Sequence, residues 1–242
     1  MTPVLDVRGA SIPARLRSTA LRLDAGELVA VIGPNGGGKT SLLRGCSGID
    51  GSAESITVAG EDLRAASPAR RSHLLGYLPA SRDAVWPISV RDVVALGLAV
   101  PDARRVDALI SSLELESLAG RAVDRLSTGE RARVLLARVL APNPMVLLLD
   151  EPLSNLDPYW VLRLLGLLRG IADGGVAVAV ALHDIERMTA FDRALLVDGG
   201  EIRADLSPSA MLAGREFARA FRIERAAAGW RLSSPAGRRS SP

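Results

Sequence analysis

Lysine is almost missing from this chain. Of its 30 basic residues one is a lysine, Lys39, and the remaining 29 are arginines. Cysteine occurs once, as Cys46, so no internal disulfide can form, which suits a reducing compartment. Two histidines and one cysteine cannot build a structural zinc site by themselves. Aromatic residues make up only 3% of the chain, and the arginines are spread along it. A nucleic-acid groove with stacking platforms is therefore not expected. The net charge is only +3, so the pI of 9.7 reflects arginine's high pKa more than a strong positive field. No apolar run approaches the roughly 20 residues that span a bilayer. The first residues carry no apolar core of the kind a secretory signal needs. If the chain acts at a membrane, another chain must hold it there.

What is present begins with the 242 residues themselves, enough for one large domain or a domain with a subdomain. A chain of this length buries about 70–75% of its unfolded surface and needs no staples. The one lysine sits in Gly33-Pro34-Asn35-Gly36-Gly37-Gly38-Lys39-Thr40-Ser41. This stretch follows the apolar run Leu28–Ile32 and precedes Leu42-Leu43, so it reads as strand, glycine loop, helix. The spacing G-x-x-x-x-G-K-T is that of a phosphate loop. Glycines let backbone N–H groups turn inward around a polyphosphate, and the following helix adds its positive dipole end. Lys39 would reach the outer phosphates and Thr40 would place its hydroxyl on magnesium. A compact ammonium suits that position better than a planar guanidinium fork.

Along the chain, residues 4–8 and 16–23 read as short strands, Asp24–Gly26 as a turn and 27–32 as a strand. A helix is expected from about Lys39 to Gly48, a strand over 55–59 and a helix over 68–75. Gly76–Pro79 leads into an irregular stretch that ends at Trp86-Pro87-Ile88. Residues 89–140 are mainly helical in pattern, with Val90, Val93, Val94 and Leu96, then Val106, Leu109, Ile110 and Leu113, at helix spacing. Strand-like runs return at 146–149, 176–182 and 194–197, with helices at about 158–170 and 184–190 between them. This alternation predicts an α/β fold with a mainly parallel sheet covered on both faces. The composition of the stretch from Ser233 predicts a disordered tail over 233–242.

Two further segments carry chemistry. Met145–Leu149 is an apolar strand that delivers two adjacent carboxylates, Asp150 and Glu151, to its end, where ligands sit in such sheets. Asp150 would hold magnesium through water. Glu151 would accept a proton from an attacking water, a role worth about 10²–10⁴-fold. The other segment, Leu126-Ser127-Thr128-Gly129-Glu130-Arg131, precedes a helix. Ser127 and Glu130 stand at capping-box distance, and capping alone would account for them.

Taken together, these segments resemble those of the ABC transporter ATPases, with 126–131 as the signature sequence. Ser154-Asn155-Leu156-Asp157 is similar to that family's D-loop, carried by Asn155 and Asp157, and His183-Asp184 to its switch histidine. The resemblance covers nearly the whole chain. It implies a P-loop NTPase of the ABC type, with a mainly parallel core, N-terminal antiparallel strands and a helical subdomain. Residues 1–88 and 141–232 would form the ATP-binding core, and 89–140 the helical subdomain. By the resemblance the chain is an ATPase using ATP and Mg²⁺, the ion held at Thr40 and Asp150. Two copies would dimerise head to tail around two ATP. Each ATP would touch the phosphate loop of one subunit and Ser127, Thr128, Gly129 and Glu130 of the other. His183 would hold the γ-phosphate and help orient water toward Glu151. Hydrolysis would open the dimer and move integral membrane permease subunits, with a binding protein engaged indirectly. The chain would then sit peripherally on the cytoplasmic face of the cell membrane.

Trp86–Val94, Leu182–Ile185, Phe191–Arg193 and Asp198–Gly200 resemble the subgroup that imports iron-siderophores, haem and cobalamin. The permease surface would then lie around Ala80–Ile88. A zinc or manganese importer, or a weakly hydrolysing soluble ATPase, is the alternative. Three residues depart from the family pattern. Ala80 stands where the family has the Q-loop glutamine, which suggests slow or loosely coupled hydrolysis. Thr128 replaces the first signature glycine. Residues 1–35 contain no aromatic to stack on adenine, a role left to the Arg15 guanidinium plane.

Overall fold

The computed structural model describes residues 3–81, 87–226 and 229–232. The chain opens with β1 (Leu5–Ile12) and β2 (Leu16–Leu23), then β3 (Leu28–Ile32), α1 (Lys39–Cys46), β4 (Ser55–Val58) and β5 (Glu61–Asp62). Next come α2 (Pro68–Leu74), β6 (Leu75–Leu78), α3 (Val90–Ala95), α4 (Ala103–Ser112) and α5 (Thr128–Leu140). The last part holds β7 (Val146–Asp150), α6 (Pro158–Asp173), β8 (Ala177–Ala181), β9 (Arg193–Asp198), β10 (Glu201–Leu206), α7 (Pro208–Leu212), α8 (Arg215–Phe221), β11 (Ile223–Ala226) and β12 (Gly229–Leu232).

Two sheets form the body. An antiparallel sheet runs β2-β1-β4-β5, and a six-stranded sheet runs β10-β9-β3-β8-β7-β6. The latter is parallel except at the β9–β10 hairpin. Its central strands are buried at every position, which is why they read as continuous apolar runs rather than alternating ones. Alternate side chains enter two different cores. Leu28, Ala30, Ile32, Leu147, Leu149, Val178 and Val180 face the core shared with α3–α6. Val29, Val31, Val146, Leu148, Ala177 and Ala179 face the core shared with α1 and the antiparallel sheet. A one-residue slip of any central strand would exchange the two cores.

The helices over 89–140 form as the apolar spacing predicts, with Val90, Val93, Val94, Val106, Leu109, Ile110 and Leu113 all buried, whereas Leu96 is exposed because α3 ends there and Leu96 is its C-cap. Ser89, Asp102 and Ser127 cap α3, α4 and α5. Other expectations need correcting. β1 extends to Ile12, and α1 stops at Cys46, where Ser47 closes its last turn. Residues 75–78 form an edge strand, missed because Gly76 interrupts a very short run. The helix expected over 184–190 is a 3-10 turn, Ile185–Ala190. β10 went unforeseen because its half-exposed Glu-Ile-Arg-Ala-Asp-Leu carries no apolar run. The tail 233–242 and Trp86 lie outside the described residues.

Candidate functional site

Three neighbouring strands, β3, β8 and β7, present their carboxyl ends side by side. β3 runs into the phosphate loop, β8 leads to His183, and β7 ends at Asp150 with Glu151 next. Chemistry at adjacent carboxyl ends is what a doubly wound sheet makes available. The loop must begin with glycine, because a Cβ at Gly33 would sit 2.0 Å from the Val197 carbonyl oxygen. At the other end, Gly38 takes φ +110 as the N-cap of α1 and offers no side-chain cap. α2 to α7 all carry a Ser or Asp cap. The first N–H groups of α1 are thus left to face an anion.

Lys39 is buried, and its ammonium donates to the carbonyls of Gly33 (2.9 Å) and Pro34 (3.3 Å). Burial holds its pKa below the ordinary lysine range, with the charges of Glu151 and Asp150 partly offsetting this. The ammonium is therefore fixed under the loop rather than waving in water.

Asp150 is fully buried, and neither carboxylate oxygen forms a hydrogen bond of normal geometry. Burial raises its pKa, while the neighbouring Thr40 hydroxyl works in the opposite direction. An orphaned buried carboxylate beside a hydroxyl is costly alone and suits a hard divalent cation. Glu151 sits at φ +54, a left-handed conformation that costs a non-glycine residue roughly 1–3 kcal/mol. Its Oε1 lies 2.5 Å from His183 Nε2. The carboxylate is mostly covered and the imidazole half exposed.

A cavity of about 750 Å³ lies over these groups. It is lined by Asn35, Gly36, Gly38–Ser41, Glu151 and His183, and also by Ala14–Arg17 and Gly199–Gly200. Arg15 is thus in its wall. The Gly199–Gly200 turn is stitched in place, since Gly200 N donates to Gly37 O and accepts Arg17 N at its own carbonyl, both at 2.9 Å. The sequence offers Asp198-Gly199-Gly200 only as part of the subgroup resemblance. Nothing in the linear pattern says that its tip touches the loop.

The signature residues are elsewhere. Ser127 to Glu130 do not line the cavity. Ser127 and Thr128 are exposed, and Gly129 and Glu130 partly so. The capping box is complete, with Ser127 N donating to Glu130 Oε2 at 2.8 Å and Glu130 N to Ser127 Oγ at 3.3 Å. The bond from the Ser127 backbone holds the Glu130 carboxyl below its usual range. A Cβ built on Gly129 would contact Leu156 Cδ2 at 3.4 Å, so the signature turn lies beside the segment 154–157. In that segment Asn155 is left-handed at φ +59, and Asp157 caps α6 by accepting Trp160 N at 3.0 Å. Ala80 is half-buried and does not line the cavity. Of the expected permease surface, Arg82–Trp86 lie outside the described residues. Among the described residues, no helix is long and apolar enough to cross a membrane.

Residues 16–154 match the family model described as ABC transporter. The hemin import ATP-binding protein HmuV of Nocardia farcinica is 39% identical over 221 residues, covering 86% of this chain and 77% of that protein. The HmuV of Rhizobium meliloti is 37% identical, covering 85% of this chain and 87% of that protein. A cobalamin import ATP-binding protein, BtuD of Halobacterium salinarum, is 36% identical over 81% of this chain and 52% of that protein. Among solved structures, a Clostridium perfringens protein described as part of an ABC transporter complex is 26% identical, with TM-score 0.74 and coverage of 90% and 94%. Another, described as the ATP-binding subunit of an ABC transporter, has TM-score 0.77 at 21% identity over 90% of this chain and 94% of that one.

Proposed function

This chain belongs to the ABC transporter family of ATPases, and from that premise we propose that it powers import of haem, an iron chelate or cobalamin. The observation that carries the reading is the grouping of Lys39, Thr40, Glu151 and His183 around one cavity, with Asp150 buried beside Thr40, while the signature turn opens on a separate surface. The names of its relatives, hemin and cobalamin import proteins, support the cargo class.

In this reading the loop amides, the α1 dipole and Lys39 hold the phosphates of ATP. Thr40 and Asp150 hold Mg²⁺, which supplies neutralisation of phosphate charge when bound. Glu151 takes the proton of the attacking water, and His183, in contact with it, keeps that carboxylate turned toward the γ-phosphate. A second copy of the chain, arranged head to tail, brings its Ser127–Glu130 turn to the same nucleotide. Asn155 and Asp157 lie beside that turn in each copy. Release of the closed dimer after hydrolysis moves permease subunits seated around residues 80–88, on the cytoplasmic face of the membrane.

Glu151→Gln tests this. Hydrolysis should fall about 10²–10⁴-fold while ATP binding persists, and gel filtration with ATP should show a lasting dimer. A variant that binds nucleotide and stays monomeric would sink the reading. Co-purified permease in vesicles then assigns the cargo, since ATPase activity should rise with loaded haem-, siderophore- or cobalamin-binding protein and not with the others.

A further inference from the structure

Arg133 lies on α5, less than one turn after Glu130, and is more than nine-tenths buried. Its Nη1 donates to the carbonyls of Leu113 (2.7 Å) and Glu114 (3.0 Å), at the carboxyl end of α4. Its guanidinium lies 3.9 Å from the centre of the Trp160 ring, on α6. One side chain thus joins three helices. Glu114 closes the arrangement from the other side. It sits at φ +51, accepts the Tyr159 hydroxyl at 2.7 Å and pairs with Arg163 at 3.1 Å, both on α6. The Tyr159 ring meets Trp160 edge-on, 5.4 Å between centres.

The consequence concerns the turns that start these helices. α5 begins at the signature turn and α6 just after Asn155–Asp157. Those turns lie side by side, since a Cβ built on Gly129 would reach Leu156 Cδ2 at 3.4 Å. A planar cation stacked on an indole and bonded to two carbonyls fixes translation and tilt together, which an apolar contact alone does not.

We infer that Arg133 and Trp160 are positioning residues that hold the signature turn and the 155–157 turn in fixed register, so that one subunit offers both as a single surface to the nucleotide of the other. This rests on the head-to-tail dimer proposed above. Neither residue touches that nucleotide in this scheme, and neither lines the chain's own phosphate cavity.

The register can be read in the monomer. Spin labels at Arg125→Cys and Gly166→Cys, both exposed sites, report the placement of α5's entry against α6. Cys46 is buried and takes no label. Trp160→Leu should broaden the distance distribution, Arg133→Lys should do the same, and Trp160→Phe should restore the narrow one. An unchanged width in Trp160→Leu would overturn the inference, whatever the dimer does. In the Glu151→Gln background, Trp160→Leu should raise the ATP concentration for half-dimerisation about tenfold while monomer affinity for ATP stays the same. Dimerisation at the original ATP concentration would also overturn it. A Glu151→Gln chain that never dimerises refutes the dimer instead, and the label widths still judge the register.

Discussion

The phosphate loop and the signature turn both carry glycine and both open a helix, yet they are built in opposite states. α1 begins without a side-chain cap, at a left-handed Gly38. α5 begins with both halves of a capping box made. Beside the phosphate loop stand a buried carboxylate with no hydrogen bond of its own and a glutamate in a left-handed conformation. Beside the signature turn the Glu130 carboxylate is bonded. The first region carries costs that its own groups offset only in part and that a polyphosphate and its cation would relieve. The second has its capping groups paired, and the left-handed residue beside it, Asn155, is of a type that tolerates that conformation. In the proposed reading, affinity for nucleotide therefore lives in the first region, and the second decides only whether two copies close.

The hardest blow to that contrast falls on Lys39. Lys39→Ala removes a fixed ammonium from beneath the loop and should weaken ATP binding by about 100-fold or more, read by calorimetric titration. Wild-type affinity would mean that the loop amides suffice and that the lone lysine is structural. A smaller effect belongs to the other region. Ser127→Ala removes a cap worth about 1 kcal/mol and should lower the melting temperature by about 2–4 °C. If Ser127 meets the partner's nucleotide as proposed, a charge-assisted hydrogen bond goes with it and ATPase activity should fall about tenfold. ATP affinity of the monomer should not move. A parallel fall in that affinity would erase the distinction between the two regions.

How much of this the sequence carries depends on whether the cause is local. The phosphate loop, the buried strands β3, β7 and β8, and the Ser127 cap are legible because spacing and apolar runs dictate them. The helices over 89–140 are legible for the same reason. The edge strand β6, the hairpin strand β10 and the 3-10 turn after His183 are not, since tertiary pairing rather than propensity makes them. The same holds for the site. Glu151 and His183 are identifiable one by one, but their 2.5 Å contact follows from β7 and β8 being neighbours. The seating of Gly199–Gly200 against Gly37 depends on β9 lying beside β3, which no linear pattern states.

A weaker test probes the cost stored at the first region. Asp150→Asn removes a buried charge whose oxygens form no hydrogen bond of normal geometry, and whose burial Thr40 and Lys39 offset only in part. Nucleotide-free protein should gain about 1–3 kcal/mol of stability, seen as a melting temperature about 2–4 °C higher per kcal/mol. ATP binding by the same variant should lose its dependence on Mg²⁺. A lower melting temperature would mean that Asp150 is already satisfied by Thr40 and Lys39, and the supposed contrast with the capped signature turn would shrink.

The smallest expected effect sharpens the contrast at Ala80, where the resemblance leads one to expect a glutamine. Ala80 follows edge strand β6 and is half-buried. A methyl group there can neither donate to nor accept from a water or an ion. Ala80→Gln would add an amide able to do both, and one such hydrogen bond changes a rate by about 2–10-fold. The gain should appear in ATPase activity measured with the permease present, since residues 80–88 are proposed to meet that partner. Affinity for ATP in the isolated chain should stay constant, because Ala80 does not line the cavity. An unchanged rate would show that another group, the exposed Ser81 being nearest in sequence, already places the water. The phosphate region would then be complete without the amide, and only the signature surface would have to come from a second copy.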